Sequence, residues 1–457
     1  MRNFKTYIIN QVKILVAVII LSCGLLKPAI LDAQDTAGVR HISLQEAIDL
    51  GIKNSNRLKA SHARIDEATA IVREAKDNQL PNAGISGSYL RFNNPNIAIK
   101  TKSLGGGADS SGGSGFPSVT QAVYGIFNVS VPLFAGGGIR YGIESAKYLQ
   151  QASILDAGND KDAEILNTIN AYINMYKASA TVLVVKENLK QSLQRDSVLS
   201  RLEQTGLLAR NDLLKAKLQT SNIQLSVLDA ESNRSIANVN MNLMLGLPER
   251  TVLIADSSNF DKDISIKNLE DYEEIALQNR KDILALSFRK KAATTGIEAA
   301  KSGLFPSIAL TGGYIAADIP HLLSISNAID IGVGVKYDLG SLWKTKSKIA
   351  QAEAREREIS ANQAQLDEEV RLNLNRNYEN LLLSKKKIDV FEQAVAQATE
   401  NYRITRNKFD NNLVNTTDLL DANVSLLQAE INLAVAKADV ILAYDVLLET
   451  AGVISAQ

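Results

Sequence analysis

The feature that most constrains this chain is an internal duplication that runs through nearly all of its 457 residues. Asn54 and Asn279, Pro81 and Pro306, Gly87 and Gly312, and Tyr89 and Tyr314 all stand 225 positions apart. Further along, Ile143 and Ile349, Tyr172 and Tyr378, and Gly246 and Gly452 stand 206 apart, as do Asn211-Asp212-Leu213-Leu214 and Thr417-Asp418-Leu419-Leu420. An ungapped register on both sides of one change of offset implies two copies of one structural unit.

The first repeat spans 41–248 and the second 269–457, with a linker at 249–268 that has room for one small element. Each repeat opens on a helical pattern, 43–80 and 269–305, in which apolar residues such as Leu44, Ala47, Ile48 and Ile52 recur at three- and four-residue steps. Pro81 and Pro306 end these helices. The period then switches to two, predicting strands at 84–92 and 122–134, and at 307–315 and 328–339, paired as two hairpins. The first hairpin loop, Asn93 to Thr120, is long and rich in Gly and Ser; the second, Ala316 to Asn327, is shorter, which accounts for the change of offset. Long helical stretches follow at 138–247 and 343–451, neither holding a proline and the second holding no glycine. Each folds back on itself once, at Gly206 and at Asn411-Asn412, while Gly158 inside a polar run predicts a kink.

The strands carry the functional information. In the last of them Ile329, Ile331, Val333, Val335, Tyr337 and Leu339 alternate with Asp330, Gly332, Gly334, Lys336 and Asp338. Tyr89, Tyr124, Phe134, Tyr314 and Tyr337 are expected toward strand ends, as in the girdles of a membrane barrel whose apolar face meets lipid. Four strands cannot close, and an open edge in hydrocarbon leaves backbone groups unpaired at a cost of several kcal/mol each, so several chains must build the barrel together.

The N-terminus fits this setting. Arg2, Lys5 and Lys13 precede an apolar run from Ile14 to Leu26, too short for a comfortable span, and Leu31-Asp32-Ala33 gives a cleavage site for a signal peptide at 1–33. Ile20-Leu21-Ser22-Cys23 is a competing lipoprotein box, in which Cys23 would carry lipid. Cys23 is the only cysteine, so no disulfide framework is available. Fifty basic residues balance fifty acidic ones, which removes the electrostatic case for nucleic acid. His41, His62 and His321 are scattered without ligand spacing, and no cofactor or metal motif and no convergent polar pocket speaks for an enzyme.

With its signal peptide, duplicated plan, Val131-Pro132-Leu133-Phe134-Ala135-Gly136-Gly137 corner, Leu80-Pro81 corner and paired turns followed by Asp-Leu-Leu, the chain resembles the TolC-type outer-membrane efflux and secretion channels. The resemblance covers essentially the whole mature chain. It implies a fold that is mainly α with a membrane β-barrel part: a homotrimer whose twelve strands close in outer-membrane lipid above a periplasmic α-helical barrel. It implies a duct for small toxic compounds or proteins, docked on a periplasmic membrane-fusion adaptor and an inner-membrane pump of RND or ABC type. By motif, Asp418 and Asp421 fall where the family lines its constriction, and their i, i+3 spacing puts them on one helix face. Asp418 is equally a helix cap, third residue after Asn415. Asp212 matches a polar position that holds the closed state in the family, or is a solvated helix start. Gly206, Leu207, Leu208, Asn412, Leu413 and Val414 are the adaptor contacts at the turns. Val414 stands where the family often has a basic residue, which puts a carried-over salt-bridge latch in doubt. The alternative from another class is a periplasmic coiled-coil structural or adaptor protein, which leaves the four amphipathic strands without a purpose.

Overall fold

The computed structural model describes residues 38–93, 120–256, 265–320, 323–411 and 413–454. The export signal, Cys23, most of the first hairpin loop and Asn412 lie outside the described residues.

Strand β1 (Val39–Ile42) leads into helix α1 (Leu44–Asn54), whose N-cap Ser43 accepts a hydrogen bond from the Glu46 N–H at 3.2 Å. The expected single helix over 43–80 is two helices: Ser55, at ψ 119°, leaves the helical conformation and caps α2 (Asn56–Asp77) by accepting from the Leu58 N–H at 3.3 Å. The second repeat breaks its 269–305 helix in the same place. There α5 (Leu269–Asn279) and α6 (Lys281–Lys301) meet at an extended Arg280. Each break is docked on the end of the last helix of its own half. Asn54 donates to the Leu245 carbonyl at 2.6 Å, and Arg280 donates to the Thr450 carbonyl at 2.8 Å. A tertiary contact thus overrides a helical pattern that continues through both breaks.

Between these helices lie strands β2 (Asn82–Arg91) and β3 (Gln121–Ala135), then the long helix α3 (Gly138–Gln204), its return α4 (Arg210–Leu245) and strand β4 (Val252–Ala255). In the second half α6 is followed by β5 (Ser307–Ile319), β6 (Leu323–Lys336), the long helix α7 (Ser341–Asp410) and its return α8 (Thr416–Thr450). At 67 and 70 residues, α3 and α7 are rods of about 100 Å. Side by side the lower rods run α4, α3, α8, α7; nearer the strands the order is α2, α3, α6, α7.

The strands form one antiparallel sheet in the order β2-β3-β5-β6. The second hairpin is longer than its sequence pattern suggested, since most of the expected loop 316–327 is strand. A bulge between Ile315 and Ala317, with Asn327 opposite it at φ 56°, interrupts the alternation there. At the other end β6 stops at Lys336, short of the expected Leu339, because the Asp338 carboxylate accepts the Gly340 N–H at 2.9 Å and starts the corner into α7. Register puts Ile85, Tyr89, Phe127, Val129, Leu310, Tyr314, Ile329, Ile331, Val333 and Val335 on one face, and Ser86, Ser88, Asn128, Ser130, Thr311 and Asp330 on the other. Tyr124 pairs with Ser88 and lies on the polar face, not in the apolar girdle.

The core sits at mid-height. Tyr172 is fully buried, its hydroxyl 3.0 Å from the Ile42 carbonyl and 3.1 Å from that of Asp256. Those carbonyls flank the parallel pair β1-β4, which binds the start of the chain to the linker. Burial pushes the Tyr172 phenol up to about 12. The polar run at 156–162, where a kink is expected, lies within one helix and forms an ion-pair ladder. Asp156 pairs with Arg289, Asp162 holds Lys281 at 2.5 Å, and Asp160 accepts from Ser61 at 2.5 Å and from Arg57 at 2.9 Å. Burial works against the Asp160 charge, but Ser61, Arg57 and Arg64 hold its carboxyl below the usual range. At Gly158 a Cβ would lie 2.8 Å from the Lys281 Cδ, so a side chain there would displace the lysine stem that reaches Asp162.

On α8, burial raises Asp445 from 3.8 to about 7. The folded chain therefore holds this proton more tightly than the unfolded chain, so stability falls as pH rises from about 4 through about 7. Asp445→Asn removes that loss. Thermal melts followed by circular dichroism are expected to show a variant more stable than wild type at pH 8 and close to it at pH 4.

Candidate channel constriction at the helix turns

The first turn is closed by geometry that needs glycine. Gly206 has φ +76°, and its N–H reaches the Glu203 carbonyl at 3.0 Å while the Leu207 N–H reaches Leu202 at 2.9 Å. Nothing lies within 4 Å of a Cβ built there, so the left-handed backbone, not crowding, selects the residue. Leu207 is 71% exposed. Leu208, expected as a surface contact, is partly buried against Leu199, Leu213 and Ala216, stapling its own hairpin. Asp212 is half-buried in the first turn of α4 and faces Lys215 at 3.6 Å.

The second turn closes with the Leu413 N–H on the Lys408 carbonyl at 2.8 Å. Leu413 is 73% exposed and Val414 half-buried. Helix α8 then opens on a full capping box: Asn415 accepts from the Asp418 N–H at 2.9 Å, and the Asp418 carboxylate accepts from the Asn415 N–H at 3.3 Å. Asp418 thus caps the helix and still stands exposed. Asp421, one turn later, is exposed on the same face, opposite the buried Leu419, Ala422, Asn423 and Leu426. Two carboxylates on a free face beside an exposed turn are what a cation-attracting opening needs.

Two features escaped the sequence reading. Phe409, at the end of α7, packs into the cluster of Leu199, Leu213 and Ala216, so the two turns are neighbours. Higher up, Arg195 of α3 donates to the Asn423 side chain of α8 at 3.2 Å and to Ser192 at 3.0 Å. Burial lowers this guanidinium, against the opposing pull of Tyr402 and Asp196. The only available signal was position: an aromatic beside a break and an arginine three turns from one. In a charge-rich helix both read as surface.

Open sheet, paired rods and acidic turns together define the class of outer-membrane channels built from paired helical hairpins. The family model for outer membrane efflux proteins matches residues 47–247 and 274–453, one segment on each repeat. The chain belongs to the outer membrane efflux protein family: a transport channel of the outer membrane with its helices in the periplasm, in a family of ducts and not of enzymes. It is 27% identical over 304 residues to outer membrane protein TolC of Vibrio cholerae, covering 64% of this chain and 68% of that one. It is 24% identical over 286 residues to the probable efflux pump outer membrane protein TtgC of Pseudomonas putida, covering 62% of this chain and 56% of that one, a little over half its length. Among solved structures, the outer-membrane channel OprN aligns at a TM-score of 0.75 and 17% identity over 90% of this chain and 89% of that one. The Campylobacter jejuni CmeC channel aligns at 0.73 and 17% over 90% and 86%. At such identities these structures establish the fold alone.

Proposed function

We propose that three copies of this chain form the exit duct of a tripartite efflux or type I secretion system, gated at the two helix turns. The observation that carries the reading is that both layers are open at matching edges. In the sheet, β2 and β6 each have one unpaired side among the described residues. In the helix layer, α4 exposes Leu214, Leu218, Leu225, Leu228, Ile236 and Leu243, a stripe about 44 Å long. At the opposite edge α7 exposes Leu372, Leu383, Val390 and Ile404. Edges of this kind call for a head-to-tail contact that repeats until a ring closes. Three copies give the twelve-stranded barrel that the resemblance implies, with the apolar sheet face in lipid and the polar face around water.

Leu207 and Leu413, the most exposed apolar residues of the turns, are the contacts for a periplasmic adaptor coupled to an inner-membrane pump of RND or ABC type. Asp418 and Asp421 form two carboxylate rings at the constriction, and Asp212 braces the first turn. Relatives named as efflux-pump outer membrane proteins support small toxic compounds as cargo. The test is detergent-extracted protein in planar bilayers, with its migration on unheated SDS gels. Discrete channels and a heat-labile trimer band are expected; a folded monomer without channels would favour the coiled-coil adaptor reading instead.

A further inference from the structure

The apolar row of β6 does not end with the strand. Below Ile329, Ile331, Val333 and Val335 it continues through the exposed Tyr337, Leu339 and Leu342 to Trp343, which is 64% exposed in the first turn of α7. Directly after it come Lys344, Lys346 and Lys348, all exposed, and none is in an ion pair among the described residues. At about 100° per residue the lysines flank the indole on both sides. The nearby carboxylate of Asp338 is engaged with the Gly340 N–H. The duplication supplies a control: 206 positions earlier the first repeat turns the same corner with Gly137 in place of the tryptophan and Gly138, Arg140 and Gly142 in place of the lysines. The corner therefore needs neither the tryptophan nor the basic cluster.

We propose that this corner of each subunit binds the headgroup of an anionic phospholipid in the periplasmic leaflet. Trp343 lies at the boundary between acyl chains and headgroups, where an amphipathic ring is most favourable. The three lysines lay their apolar stems along that boundary and carry their ammonium groups to the lipid phosphates. The inference rests on the reading of the sheet as a membrane barrel. It adds a lipid preference to it, and it restricts that preference to the second repeat.

Trp343 is the only tryptophan of the chain, so its fluorescence reports on this corner alone. The full chain is reconstituted into phosphatidylethanolamine vesicles containing either brominated phosphatidylglycerol or brominated phosphatidylcholine. The anionic lipid is expected to be enriched about fivefold at Trp343, the effect that one surface lysine gives at a membrane. The Lys344→Gln/Lys346→Gln/Lys348→Gln variant is expected to lose that excess while keeping the quenching by phosphatidylcholine. Equal quenching by the two lipids in wild type, or an excess that survives in the variant, would overturn the site and leave the barrel standing. Loss of the excess on adding inorganic phosphate would assign the lysines to a free anion and overturn the lipid proposal. No quenching by either lipid would remove the barrel and the site together.

Discussion

In planar bilayers, channels of the Asp418→Ala/Asp421→Ala variant are expected to form but to lose roughly tenfold in cation-over-anion permeability. Both carboxylates are exposed on α8 beside the second turn, and in the proposed trimer six of them would surround one opening. A pair of unit charges at 4 Å is worth about 1 kcal/mol in bulk water and more between low-dielectric walls, while a tenfold selectivity takes only about 1.4 kcal/mol. The double substitution also removes the Asp418 half of the capping box, at a cost of about 0.3–1 kcal/mol to the helix start, while the Asn415 half remains. Asp421→Asn separates the two effects, because Asp421 takes no part in the cap. Selectivity lost in the single variant assigns a pore role to the carboxylate. Selectivity kept in both variants reduces the pair to a cap and a solvated side chain.

The order of elements was legible because duplication checks itself: a helix, two strands and a folded rod in one repeat have the same series in the other, at offsets of 225 and 206. What stayed hidden is what a contact decides. Ser55 and Arg280 interrupt helices whose apolar period runs straight through, since the breaks are fixed by the Leu245 and Thr450 carbonyls far away in sequence. Asp156 to Asp162 is expected to mark a kink from its glycine and polar residues; the ion-pair partners that these aspartates find on α2 and α6 are not legible in the sequence. Strands β1 and β4, four residues each, are too short for periodicity to reveal. At the turns, the cap on Asp418 could be read from spacing alone. The inward packing of Leu208 and the clasp of Phe409 could not, because an apolar residue at a turn looks the same whether it covers its own hairpin or awaits a partner.

That ambiguity is sharpest along α4, where the Leu218→Glu/Leu225→Glu variant is expected to abolish the trimer while the subunit keeps its helical content. Leu218 and Leu225 are 64% and 59% exposed, whereas the face of α4 that meets α3 uses Leu213, Ala216, Ile223 and Val227. The substitutions therefore leave the hairpin intact. In a closed ring each of these leucines contributes about 1.5–3 kcal/mol on burial, and the replacement adds a carboxylate without a partner at every seam. Leu183→Glu is the control: it is 72% exposed on α3, away from the stripe, and the trimer should survive it. A head-to-tail seam also demands reciprocity, so Leu383→Glu on α7 should break the same contact from the other side. Ile236→Lys combined with Leu383→Glu, both about 40 Å above the neighbouring turns, should then recover part of the trimer on unheated gels and in light scattering, because opposite charges now face each other across the seam. A trimer indifferent to all of these would mean that the sheet edges alone hold the ring, with the α4 stripe facing something other than a second copy.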